Sequence, residues 1–86
     1  MKTAKEMFEE LGYELCIDHK CEWEICFKNN DCGHFICFEN KKVYAFMYEW
    51  NDFVERYDFD TKEITMQELQ AINKMVSELG WLDAKD

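Results

Sequence analysis

The stretch that decides the fold is residues 23–50, WEICFKNNDCGHFICFENKKVYAFMYEW. Three runs rich in β-branched and aromatic residues, WEICF, HFICFE and VYAFMYEW, are separated by two polar turns, NNDCG and NKK (residues 40–42). Such runs between short polar turns are typical of adjacent antiparallel strands. The stretch therefore predicts a three-stranded antiparallel meander, and residues 13–18 are a candidate fourth strand.

Two helix patterns flank the meander. Residues 3–6 (TAKE) and 65–68 (TMQE) are capping boxes, in which a threonine and the glutamate three positions later can bond the free amides of a first helical turn. Apolar residues follow each box at helical spacing until a glycine ends the pattern. We predict helices over residues 4–11 and 66–79.

These elements place the chain in the α+β class, as a single small domain over residues 1–86 that contains a helix, a three- or four-stranded antiparallel sheet and a second helix. We expect the helices to cover the more apolar face of the sheet. Residues 51–64 are expected to form a loop, and the opposite face either lies under this loop or is a partner surface. The residues expected under the helices are Trp23, Ile25, Phe27, Ile36, Phe38, Tyr44, Phe46 and Tyr48.

The net charge restricts the partners of this domain. Nineteen acidic and ten basic side chains give a formal charge of −9 over 86 residues. Phosphate groups would repel such a chain, which argues against unaided binding to nucleic acid or to an anionic membrane and favours a basic partner. The N-terminus leads directly into the first helix pattern, without the apolar core of a signal peptide, so we expect the protein in the cytoplasm of a host cell.

All five cysteines and both histidines lie between residues 16 and 37. An odd number of cysteines is poor material for a disulfide framework in a reducing cytosol, whereas thiolate and imidazole groups at such short spacings are the usual ligands of tetrahedral zinc. A structural zinc would also stabilise a domain too small for a large core. The candidate ligands are Cys16, His19, Cys21 and Cys37, with Cys32 and His34 as competing candidates.

Two other interpretations of these residues stay open. Buried free cysteines are most often small apolar core residues, and the histidines would then be ordinary polar loop residues. A cysteine nucleophile with His19 or His34 as its base is the third interpretation. The sequence contains no catalytic motif that supports this third interpretation, so we expect no enzymatic activity.

A second cluster is acidic and lies in the segment expected to be a loop. Its carboxylates recur every two or three residues among aromatic side chains, and such an array on a folded scaffold can imitate the phosphates of a nucleic acid. The alternative is a solvated loop whose charge keeps the chain soluble. The candidate partner-binding residues are Glu49, Asp52, Glu55, Asp58, Asp60 and Glu63.

Residues 3–13 (TAKEMFEELGY), 64–74 (ITMQELQAINK) and 78–81 (ELGW) resemble the ends of small phage and prophage proteins of Gram-positive bacteria, over about a third of the chain. In size and acidity the chain is also similar to the type II anti-CRISPR proteins. This second resemblance implies a protein that binds a CRISPR effector nuclease and keeps DNA out, in at least one case with bound zinc.

We therefore predict a non-enzymatic, phage-encoded inhibitor of a host defence nuclease, a type II CRISPR effector. It would bind a basic surface of the nuclease and block loading of the target DNA. The alternative is a small zinc-stabilised phage interaction module that acts on another host protein, also without enzymatic activity.

Overall fold

The structure is a computed structural model that describes residues 2–16 and 23–81. Within these residues the α+β class is confirmed, with two helices and one antiparallel sheet whose five strands lie in sequence order. The elements are α1 (Ala4–Glu10), β1 (Glu14–Leu15), β2 (Ile25–Asn29), β3 (His34–Glu39), β4 (Lys42–Asn51), β5 (Arg56–Thr61) and α2 (Met66–Glu78).

Both helices begin and end as their local sequences predict. Thr3 and Thr65 are the N-caps, and both capping boxes are formed. Past each C-terminus a glycine adopts a left-handed conformation, and the N–H of the next residue donates to a carbonyl of the last turn. In α1 this bond joins Tyr13 to the carbonyl of Phe8 at 3.0 Å, and the rings of the two residues meet edge to face. These hydrogen bonds are those of a Schellman motif, which satisfies carbonyls that a helix end otherwise leaves free.

The turn between β3 and β4 decides which side of β4 meets the helices. It contains two residues, Asn40 and Lys41, both with positive φ, and it pairs Glu39 with Lys42. This is the two-residue hairpin turn that matches the twist of antiparallel strands. The register expected from sequence requires a turn of three residues instead. A shift of one residue moves every side chain of a strand to the other face.

Part of the predicted helix-covered face is therefore wrong. Ala45, not Phe46, lies opposite Ile36 and packs against the core, so Tyr44, Phe46 and Tyr48 point to the other side. Trp23 is also misplaced, because it precedes β2 and its ring contacts those of Tyr44 and Phe46. We call this second side the far face; its members include Trp23, Cys26, Phe35, Cys37, Tyr44, Phe46 and Tyr48.

The core lies between the two helices and the other face of the sheet. Phe8 of α1 stacks on Phe27 of β2 with ring centroids 4.2 Å apart, and Phe38 of β3 meets both rings edge to face. These edge and stacked contacts add to the stabilisation from burying the rings. The buried residues of this core are Ala4, Phe8, Tyr13, Phe27, Ile36, Phe38, Ala71, Ile72 and Met75.

Residues 51–64 are not the loop that we expected. They contain β5, which pairs with β4 at the edge of the sheet. Of the two alternatives for the second face of the sheet, a cover by this loop is therefore wrong, and a partner surface stays a prediction. At the other edge, β1 provides the fourth strand that residues 13–18 suggested, over Glu14–Leu15.

Candidate functional site

The candidate site is a two-stranded ribbon at one edge of the sheet. Strand β4 pairs with β3 only as far as Met47, whereas its pairing with β5 continues to Asn51. The N–H of Tyr48 still donates to the carbonyl of Gly33 at 3.0 Å, so β4 is paired on one side only past Tyr48. All residues of β5 are exposed. We call residues 48–59, which comprise the end of β4, the turn and most of β5, the ribbon. The described part of the chain is correspondingly elongated, with extents of 49 × 26 × 25 Å.

The two sides of the ribbon differ in chemistry. On the side that continues the helix-covered face, Glu49 lies directly opposite Asp58. Asp60, just past the ribbon, continues this side opposite Met47. Like charges opposite each other weaken an antiparallel pair, so folding alone does not favour this arrangement. Asn51 offsets part of the cost, because its Nδ2 donates to Oδ2 of Asp58 at 2.8 Å.

The other side of the ribbon is aromatic. Tyr48 and Trp50 of β4 lie opposite Phe59 and Tyr57 of β5. Their rings form a continuous row, with centroids 4.9 Å apart for Tyr48 and Tyr57 and 5.1 Å apart for Trp50 and Tyr57. Trp50 is 52% exposed and Phe59 is 66% exposed. Large exposed aromatic side chains that lie beside a polar surface are typical anchors of protein interfaces.

A side-chain hydrogen bond stabilises the turn at the tip of the ribbon. Oδ1 of Asn51 accepts from the N–H of Phe53 at 2.9 Å, and Glu55 closes the turn with a positive φ of 49°. The Phe53 side chain is 99% exposed. Because this ring packs on nothing in the described chain, its exposure costs solvation free energy without adding stability.

The structure makes the surface of residues 49–63 more acidic than the sequence suggests. All six candidate carboxylates are exposed. Arg56, one of the two cations in this segment, lies near Asp58 with 3.4 Å between Nε and Oδ1. The other, Lys62, turns inward, where its Nζ lies 2.6 Å from Oε1 of Glu68 and its side chain is only 3% exposed. Arg56 is therefore the one cation in residues 49–63 that offsets the surface charge.

Glu68 is the centre of a buried polar network that the sequence alone does not predict. Tyr13 donates from its hydroxyl to Oε2 of Glu68 at 2.5 Å, while Oε1 accepts from Lys62 and from the N–H of Thr65. The network ties Lys62, just past β5, to α2 and to Tyr13, three residues past the end of α1. The signal in the sequence was the capping box, which accounts for a glutamate or glutamine at this position but does not show that its side chain is buried.

The network shifts two pKa values in opposite directions. Burial alone would raise the pKa of Glu68, but the hydrogen bonds from Lys62, Tyr13 and Thr65 and the charge of Lys62 hold it below its usual value. Burial, followed by the hydrogen bond to Glu68 and its charge, raises the pKa of Tyr13 well above its ordinary value. Glu68 is thus a carboxylate and Tyr13 a neutral donor at neutral pH.

The structure brings together only some of the candidate zinc ligands. Cys37 lies on the far face opposite Cys26, and the N–H of Cys16 donates to the carbonyl of Cys26 at 2.7 Å, so three cysteines lie in one row across β2, β3 and the end of β1. His34 belongs to the other face of β3, and Cys32 is exposed in the turn before it. Neither therefore joins Cys37.

His19 and Cys21 lie outside the described residues. Within residues 2–16 and 23–81 there is no group of three or more histidine, cysteine or acidic side chains that could hold a metal ion. The predicted ligand set includes His19 and Cys21, so the zinc site stays a prediction.

Comparison with known proteins adds no identification. The chain matches no protein-family model, no curated protein and no solved structure. In the part of the chain that the structure describes, no helix combines the length and the apolar character needed to cross a membrane.

Proposed function

We propose that this protein is a non-enzymatic binding domain that inserts its acidic ribbon into a basic, nucleic-acid-binding cleft of a partner protein. The observation that carries this proposal is the ribbon itself, with carboxylates on one side, exposed aromatic rings on the other and Phe53 at the tip. A ribbon that is paired on one edge and projects from the sheet can enter a cleft that a compact surface cannot.

Each side of the ribbon has its own part in binding. The carboxylates pair with lysine and arginine side chains of the partner's cleft. This attraction speeds association and selects basic partners. The aromatic rings lose their exposed apolar surface on contact and supply most of the affinity, as aromatic anchors generally do. Nucleic acid and the ribbon then compete for the same cations, so binding of the protein excludes the nucleic acid.

We propose a type II CRISPR effector nuclease, in the cytoplasm of the host cell, as the partner. The resemblance to acidic anti-CRISPR proteins supports this choice, and so does the charge, because a guide-bound effector holds its target in a positively charged channel. On this proposal the protein blocks loading of target DNA and does not itself bind DNA.

The experiment measures binding of labelled target DNA to the guide-bound effector while the protein is added. We expect DNA loading to fall as the protein saturates the effector, and we expect its affinity to weaken steeply with salt because both surfaces are charged. Retardation of DNA by this protein alone, or normal DNA loading at saturating protein, would contradict the mechanism.

Two comparisons, each of one variant with one control, test the ribbon and Asp60, which continues its acidic side, against the rest of the surface. Asp58→Lys with Asp60→Lys changes the net charge from −9 to −5, as does the control Glu9→Lys with Glu14→Lys. Only the variant with Asp58→Lys and Asp60→Lys should slow association with the effector strongly. Phe53→Ala should weaken binding about tenfold or more without changing the melting temperature. Met66→Ala, which removes another exposed side chain away from the ribbon, is its control. If a variant and its own control weaken binding equally, in either comparison, the ribbon is not the contact with the effector.

A further inference from the structure

Cys26 and Cys37 form a close pair in the centre of the sheet. They are direct neighbours on β2 and β3, are 3% and 0% exposed, and have Sγ atoms 2.7 Å apart. This distance is longer than the about 2.05 Å of a disulfide bond, so the structure contains no bond between these two sulfurs. The odd number of cysteines gave no reason to expect this pair.

The backbone hydrogen bonds explain why Cys26 meets Cys37 and not Cys16. The carbonyl of Cys26 points toward β1, where it accepts from Cys16. Cys26 and Cys37 are consequently a non-hydrogen-bonded pair, the type in which antiparallel strands bring opposite Cα atoms to about 4.5 Å and side chains closest together. Cys16 and Cys26 are joined by that one backbone hydrogen bond, and opposite residues on the hydrogen-bonded side of a strand have Cα atoms farther apart, at about 5.5 Å.

We infer that Cys26 and Cys37 are a redox-active dithiol that closes reversibly into a cross-strand disulfide. Cα separations of 4.4–6.8 Å suit a disulfide, and the non-hydrogen-bonded geometry lies within about that range. The closed bond would cross-link β2 to β3 across the turn that joins them. Because the pair lies in the centre of the sheet and the ribbon at its edge, this inference does not depend on the proposed function.

Oxidised glutathione supplies the oxidant for this reaction. One protein thiolate attacks the glutathione disulfide, forms a mixed disulfide and releases one reduced glutathione. The second protein thiol then displaces the second glutathione, so the two thiol protons and two electrons of the protein end on two glutathione molecules. Both thiols are buried, so we expect the exchange to require opening of the sheet and to be slow.

The experiment equilibrates the folded chain, as purified, in a series of glutathione redox buffers, then quenches with acid and alkylates the remaining thiols in denaturant. Cleavage after Lys20, Lys28 and Lys41 separates Cys26 from Cys37, but each peptide contains a second cysteine. A variant with Cys16→Ser, Cys21→Ser and Cys32→Ser leaves one cysteine in each peptide. In both proteins we expect the peptides to be joined through Cys26 and Cys37 under oxidising conditions and separated again on reduction.

The linked protein should also melt about 10 °C or more above the reduced protein, because the bond restricts the unfolded chain. The variant Cys26→Ser, analysed in the same way, should leave Cys37 without a disulfide to any other cysteine. Retention of both thiols at every redox buffer, whether or not zinc holds them, would overturn the inference. Pairing of Cys26 with Cys16 or Cys21 in the parent chain, or a lower melting temperature after oxidation, would overturn it as well.

Discussion

Glu68→Gln should destabilise the fold far more than its small change in shape suggests. Glutamine keeps the capping box through its one carbonyl oxygen, and its NH2 group, at the position of Oε2, can donate to the hydroxyl of Tyr13 instead of accepting from it. The substitution therefore removes the negative charge and reverses one hydrogen bond. Lys62 then stays 3% exposed without its counter-charge. Breaking a buried ion pair from one side costs about 3–5 kcal/mol, out of a total stability of roughly 4–13 kcal/mol for a domain of this length.

The matched control is Glu10→Gln. The Lys2–Glu10 pair is of similar length, 2.7 Å against 2.6 Å for Lys62–Glu68, but its side chains are 58% and 56% exposed. Such surface pairs contribute less than about 1 kcal/mol. Urea denaturation should therefore show a large shift of the midpoint for Glu68→Gln and a small one for Glu10→Gln. The double variant Lys62→Met with Glu68→Gln should lose less stability than the two single losses added together, because it leaves no uncompensated charge.

The pH dependence gives a second measurement of the same interaction. The folded-state pKa of Glu68 lies below the unfolded value near 4.5, so the folded protein binds fewer protons than the unfolded chain in acid. The stabilisation is therefore complete above about pH 4.5 and is lost as the pH falls through the lowered value. The difference in stability between the parent and Glu68→Gln should shrink over this range. Equal losses for Glu68→Gln and Glu10→Gln, or a difference that does not change with pH, would refute the reasoning.

Two further predictions concern a glycine and the metal. Gly33→Ala should cost more stability than Gly80→Ala, because both residues have positive φ but an added Cβ at Gly33 lies 2.8 Å from the carbonyl oxygen of Tyr48, whereas nothing lies within 4 Å at Gly80. The positive φ costs about 1–2 kcal/mol in both variants, so the difference between them measures the close contact at Gly33. Equal losses of stability in thermal melting would show that the close contact is relieved without cost. The zinc predicted from sequence should appear as one atom per chain by elemental analysis of protein purified without added metal. Substoichiometric zinc would contradict that prediction, and full occupancy through Cys37 would exclude the disulfide, because one sulfur cannot serve both.

Part of the ribbon could be predicted from the sequence. The spacing of the carboxylates and aromatic residues drew attention to residues 49–63, and all six candidate carboxylates are exposed. The separation of the acidic and aromatic side chains onto two sides of the ribbon could not be predicted from the sequence, because it depends on the pairing of β5 with β4. The inward position of Lys62 was also hidden, since its partner Glu68 belongs to another element.

The sequence by itself determined the elements whose stability is local. Both helices form where a threonine, a glutamate three residues later and a terminal glycine predict them, because caps act within one turn of the chain. Alternating apolar residues likewise located β2, β3 and β4. What only the tertiary structure decided is how the strands meet. A two-residue turn at Asn40 and Lys41 moved the aromatic residues of β4 to the far face, and the resulting register brought Cys26 against Cys37. Register and burial depend on contacts between distant segments, and no local pattern specifies which of two adjacent pairings buries the better core.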